Sequence, residues 1–162
     1  GTWRATPLWH VISRGRNLTL AKHLLERGAD PNHCLFAAVW NEDCDAIRLL
    51  LAHGADIEEG ADRGDTPLLG AVAWSKFGPA GELLEAGADP NVRNAQGATA
   101  LHLMLKKGSA PKHFLLFARH GARSDIANAE GLTADTLLRR KRDPGYRAAA
   151  DRIARADVYQ RR

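Results

Sequence analysis

An all-α solenoid of about five stacked helix-turn-helix units is the fold this sequence predicts, and three observations predict it. Gly-Ala-Asp recurs at Gly28-Ala29-Asp30, Gly54-Ala55-Asp56 and Gly87-Ala88-Asp89, with a variant at Gly121-Ala122-Arg123, at spacings of 26, 33 and 34 residues. A second phrase precedes each glycine: Thr6-Pro7-Leu8-Trp9, His33-Cys34-Leu35-Phe36, Thr66-Pro67-Leu68-Leu69 and Thr99-Ala100-Leu101-His102, with Thr133-Ala134-Asp135-Thr136 opening a fifth copy. The interval from phrase to glycine stays at 21 or 22 residues. Fixed-period self-similarity marks a repeat stack, in which no unit buries its apolar face alone.

The first helix of a unit is clearest where it starts at Thr66-Pro67. Thr is a good N-cap, and Pro fits the first helical position, where its missing N–H is not needed. After Thr66-Pro67, the residues Leu68, Leu69, Ala71 and Val72 recur at helical intervals until polar and Gly-containing stretches interrupt them. That spacing predicts a helix of about two turns. A second apolar helix follows, clearest at Ala46-Ile47-Arg48-Leu49-Leu50-Leu51, and stops at a Gly that accepts the left-handed conformation. Asp-Pro-Asn or Asp-Ile-Glu then turns the chain, with the acidic and amide side chains bonding their own backbone.

Helix, turn, helix, glycine stop and extended loop in this order resemble the ankyrin repeat, and the resemblance covers essentially the whole chain. It implies a single domain over residues 1–162, with repeats at approximately 1–32, 33–60, 61–93, 94–127 and 128–162. It also implies inner helices and short β-hairpin fingertips lining a concave face, with outer helices forming a convex back. Two departures carry information. Between Asn32 and His33 the usual hairpin is absent and the period is seven residues short, so one fingertip is expected to be missing between repeats 1 and 2. In the last copy, Arg139-Arg140-Lys141-Arg142 and Tyr146–Ile153 replace the apolar pattern with a polar one, as a terminal capping repeat requires. No such cap is visible at the start, where Leu8 and Val11 need cover from Trp3 or from a preceding repeat.

Composition agrees with a folded soluble domain: 162 residues, 44% hydrophobic and 26% charged. No stretch approaches the roughly 20 apolar residues of a membrane span. The chain opens with Gly1 and no signal-peptide layout, so it reads as a piece whose upstream segment is not visible. Cys34 and Cys44 are too few to staple a fold of this size, which points to a reducing, intracellular, cytoplasmic setting, export as an effector staying open. The chain by itself is expected to be monomeric. The formal charge of +4 is uneven, since Arg139–Arg162 holds nine Lys/Arg against three Asp/Glu. That is a local basic patch rather than a surface for coating nucleic acid.

Chemistry has little support. The seven histidines form no HExxH and the cysteines no CxxC, so neither metal nor cofactor is expected. GxSxG, Walker and dinucleotide loops are missing, so the chain is not expected to be an enzyme. His102, within Thr-Ala-Leu-His, is by resemblance a structural hydrogen-bonding histidine. Arg63-Gly64-Asp65 spells an adhesion tripeptide, but its position before Thr66-Pro67 is explained by turn chemistry.

The resemblance further implies where a partner binds: at fingertips and at late, inward-facing positions of the first helices. Those positions are Ser13-Arg14, Trp40-Asn41, Ala73-Trp74, Lys106-Lys107 and Arg140-Lys141, with Trp3, Glu58-Glu59 and Asp62-Arg63 at fingertips. The partner-binding set is therefore Trp3, Arg14, Trp40, Asn41, Arg63, Trp74, Lys106, Lys107, Arg140 and Lys141. Tryptophans are enriched at binding hot spots, and the groove runs from aromatic to basic. The expected function is a non-catalytic protein–protein interaction module, a scaffold, adaptor or effector, whose partner offers an apolar anchor and an acidic segment. Two alternatives stand beside it: binding of nucleic acid or another acidic surface through the basic C-terminal segment, and a targeting role within a larger enzyme. The first lacks a stacking platform and any DNA-binding motif.

Overall fold

A computed structural model of the chain describes residues 6–15, 17–60 and 64–160. Ten helices form within them, in five pairs: α1 (Pro7–Arg14) with α2 (Leu18–Glu26), α3 (Leu35–Trp40) with α4 (Cys44–Ala52), α5 (Pro67–Ala73) with α6 (Phe77–Glu85), α7 (Ala100–Lys107) with α8 (Pro111–Arg119), and α9 (Ala134–Arg139) with α10 (Pro144–Gln160). The first members pack on one another in chain order as an inner row, and the second members as an outer row. This is the all-α repeat solenoid that the periodicity predicts.

The local signals explain the helix starts. The Thr6, Thr66 and Thr133 hydroxyls accept the backbone N–H of Trp9, Leu69 and Thr136 at 3.1, 3.3 and 3.2 Å. Asn17 and Asp43 do the same for the outer helices α2 and α4. At Thr99 the cap is reciprocal: His102 Nδ1 accepts the Thr99 N–H at 3.2 Å, which leaves its proton on Nε2 to donate to the Leu132 carbonyl at 3.0 Å. His102 is thus a structural residue that ties α7 to the next fingertip. Among the inner helices the exception is α3, whose cap residue Cys34 makes no side-chain bond and whose length is only six residues. It forms because its face is buried, with Leu35, Ala38 and Val39 fully enclosed.

Between the rows lies one continuous core. Leu8, Leu35, Ile47, Leu50, Leu68, Leu83, Leu101, Met104, Phe114, Phe117, Leu138 and Ile153 are its largest buried side chains, each contributing about 1.5–3 kcal/mol by leaving water. The last helix differs from its outer-row neighbours. It runs 17 residues, with no glycine stop, and lays Ala149, Ala150 and Ile153 against the stack while its other face carries charge. Tyr146 fastens its start, donating its hydroxyl to the Ser109 carbonyl at 3.0 Å. No helix of the described residues is long and apolar enough to cross a membrane.

Loops link each pair to the next, and one is short. Residues 27–34 join α2 to α3, where the stretches 53–66, 86–99 and 120–133 make the other connections. The fingertip expected to be missing between Asn32 and His33 is missing. The fingertips in 86–99 and 120–133 are tight turns closed by side chains: the Asn94 and Asn128 carboxamides each accept two backbone N–H groups. Their β pairing is minimal, a single antiparallel bridge between Ala127 and Thr133 among the described residues. Successive loops are also stitched side chain to backbone: Asn32 accepts the Asp56 N–H, Glu58 that of Asp89, and Asn91 that of Arg123.

Candidate functional site

The concave face divides into two grooves of opposite character. The first, about 430 Å³, is lined by Trp9 of α1, Phe36, Ala37 and Trp40 of α3, Trp74 after α5, and His33, Glu59 and Asp65 from the loops. Trp40 and Trp74 meet edge to face, their ring centroids 5.1 Å apart and their planes at 89°. Phe36 adds a second perpendicular contact to Trp74 at 6.4 Å. Gly70 makes this closeness available, since a Cβ there would stand 3.3 Å from Phe36 and 3.5 Å from Trp74. Packing the rings on each other does not hide them: Trp40 is 58% exposed and Trp74 37%.

The missing fingertip shapes this groove. With no hairpin above α3, the chain turns tightly through His33 (φ 66°), and Glu59 of the following loop reaches back to it. The Glu59 carboxylate accepts the His33 backbone N–H at 2.8 Å and pairs with the imidazole. Beneath lies Cys34, whose thiol is pushed up to about 11 by burial and then by the Glu59 and Asp30 carboxylates. At neutral pH it is a protonated, inert packing group rather than a nucleophile.

The second groove, about 900 Å³, lies between the last two complete fingertips and the inner helices α7 and α9. Lys106, Arg140 and Lys141 line it together with Asn94, Gln96, Asn128 and Glu130. No ion pair among the described residues engages Lys106 or Arg140, so their charge faces outward. Arg139, from the same basic run, is committed elsewhere: it bridges Asp135 and Asp151 at 2.9 and 3.0 Å, holding α9 to α10.

The sequence-derived site residues therefore separate. Trp40 and Trp74 come together in the first groove; Lys106, Arg140 and Lys141 come together in the second. Arg14 and Lys107 are exposed but line neither groove. Asn41 does line the first, yet its carboxamide is already used, donating to the Ile12 and Ser13 carbonyls at 2.9 and 3.0 Å and so capping the end of α1. Lys141 is half-buried with its ammonium 5.8 Å over the Tyr146 ring. Trp3 and Arg63 lie outside the described residues. Sequence reasoning passed over Trp9 and Phe36. Both occupy the fourth place of the helix-starting phrase, where Leu69 and His102 stand in later copies, and that positional equivalence was the available signal. Among the described residues no three His, Cys, Asp or Glu side chains gather as a metal site would require.

Comparison with known proteins agrees with this architecture. Residues 8–94 match a family model of ankyrin repeats, three copies; that is more than half the chain, and the chain belongs to the ankyrin-repeat family. It is similar to the 2-5A-dependent ribonuclease of Homo sapiens, 41% identical over 81 residues covering 49% of this chain and 11% of that protein. Inversin of Gallus gallus is 32% identical over 130 residues, 78% of this chain and 12% of inversin. Protein PhlB of Serratia liquefaciens is 38% identical over 106 residues, 60% of this chain and 46% of PhlB. The chain spans less than half the length of each.

Proposed function

We propose that this ankyrin-repeat chain is a non-catalytic module that binds another protein along its concave face. The observation that carries this reading is the exposed pair Trp40 and Trp74 lining a groove, tryptophan being enriched in binding hot spots. Trp40 and Trp74 supply affinity, while Lys106, Arg140 and Lys141 at the other end attract an acidic stretch of the same partner and set its orientation. Trp3 and Arg63 extend the contact if their fingertips lie as the repeat implies. The test is capture of a partner from native lysate by the wild-type chain and by folded Trp74→Ala and Arg48→Ala variants. Arg48 sits on the convex back, paired with Asp45 and Glu82. Partner loss with Trp74→Ala and retention with Arg48→Ala is expected, and the reverse pattern makes the back of the solenoid the working surface.

A second reading is a recognition part of a larger enzyme. It is favoured by the likeness to one stretch of a ribonuclease many times this chain's length. The size of the endogenous protein on an immunoblot decides it.

A further inference from the structure

The aromatic end of the groove carries negative charge. Asp65 and Glu59 line the same space as Trp9, Phe36, Trp40 and Trp74, and among the described residues the only basic group of that lining is His33. Glu59 is occupied by His33. Asp65 is exposed, and no ion pair within the described residues engages its carboxylate. Trp40 and Trp74 meet edge to face at 89°, and the ring surface that the pair leaves open to the groove is electron-rich.

We propose that this aromatic surface seats a basic side chain of the protein partner, a lysine ammonium or an arginine guanidinium, held over the open ring surface of the Trp40 and Trp74 pair and neutralised by Asp65. The inference rests on the groove reading and names the chemistry of its ligand. Three arguments favour a cation over the alternatives. An open ring face attracts a cation. A purely apolar anchor would cover Asp65 and strip it of water with nothing to compensate the charge. An anionic anchor would meet Asp65 and Glu59 and be repelled. Because Lys106, Arg140 and Lys141 stand at the other end of the face, the whole groove is dipolar, so the partner segment runs with its basic residue on α3 and α5 and its acidic residues on α7 and α9.

The experiment uses three small probes on the isotope-labelled chain, reading the indole N–H signals of Trp40 and Trp74, assigned from Trp40→Phe and Trp74→Phe. N-acetyl-arginine amide is compared with N-acetyl-citrulline amide, which has the same shape without the charge, and with N-acetyl-leucine amide. Arginine amide is expected to move both indole signals and to bind about threefold or more tighter than citrulline amide, an advantage that Asp65→Asn removes. Equal or tighter binding of the citrulline or leucine probe, an arginine response unchanged by Asp65→Asn, or no arginine response at all overturns the inference. Binding led by leucine amide would do so while leaving the groove reading intact; a partner that still binds Trp74→Ala overturns the groove reading itself.

Discussion

The two ends of the concave face are made from the same repeat and present opposite surfaces. At α3 and α5 the connecting loop is short, the rings are open and the rim is acidic; at α7 and α9 the fingertips are complete, their turns are closed by Asn94 and Asn128, and the surface is cationic. Both halves share one apolar core, of small and branched side chains at the first end, with Met104, Phe114 and Phe117 added at the second. A solenoid unit spends one face of each helix on its neighbours and leaves late inner-helix positions and loop tips unconstrained, so surface chemistry can change from repeat to repeat at little cost in stability.

The strongest way to break the comparison is at the loops. Gly64 sits at φ 66° with the next fingertip pressed against it, and an added Cβ would lie 2.5 Å from Asn94 Cα and 2.6 Å from the Arg93 carbonyl oxygen. Gly28, at the junction without a fingertip, has φ 88° and no atom within 4 Å of such a Cβ. Gly64→Ala should therefore cost about 3 kcal/mol in urea unfolding, against about 1 for Gly28→Ala, which faces only the backbone penalty. Equal costs would show that fingertip contact adds nothing.

Ring truncation probes the aromatic end. Trp74→Ala should weaken partner binding by about 2 kcal/mol or more, and Trp40→Ala by no more than that, because Trp74 also supports Phe36 and Trp40. Calorimetric titration of the two folded variants reads the difference.

Glu58 tests the stitching between the ends. It stands where Asn32 and Asn91 stand in neighbouring loops, and one of its carboxylate oxygens is buried without a hydrogen-bond partner. Asn91 uses its extra N–H group on the Gly121 carbonyl, a bond Glu58 cannot make. Glu58→Asn should stabilise the fold by about 1 kcal/mol. Burial raises the Glu58 pKa above the ordinary carboxylate value, followed by the nearby Asp89 and Asp56 charges, although the Asp89 backbone N–H acts the other way. The folded chain thus holds this proton more tightly than the unfolded chain. Stability contributed at low pH is lost as pH rises from the unfolded value through the folded one, so the variant's advantage should grow across that interval. An advantage constant with pH would remove the charge from the explanation.

The smallest effect belongs to the basic end. Lys106→Ala or Arg140→Ala should cost under about 1 kcal/mol of affinity, acting mainly on association rate and shrinking with added salt. Stopped-flow mixing at two ionic strengths checks it.

The period, the Thr-Pro helix starts, the glycine stops, the absent second fingertip and the polar last repeat were all written in the chain itself. Each is a local signal spanning a few residues, and its repetition at a fixed interval makes it legible without any neighbour. The late inner-helix placement of Trp40 and Trp74 came from the resemblance to the repeat and the cationic end from charge counting, while the exposure of the two rings came from the structure. Only the stacked structure decided which side chains those positions would meet. Asn41 is taken up by carbonyls 28 and 29 residues away, Glu59 by a histidine 26 residues away, and Lys141 comes to rest over Tyr146. Phe36 joins the tryptophans because Gly70, in the next repeat, leaves room for it. These contacts cross from one repeat to another, and no propensity or spacing within a single repeat encodes the partner that the neighbouring unit brings into reach.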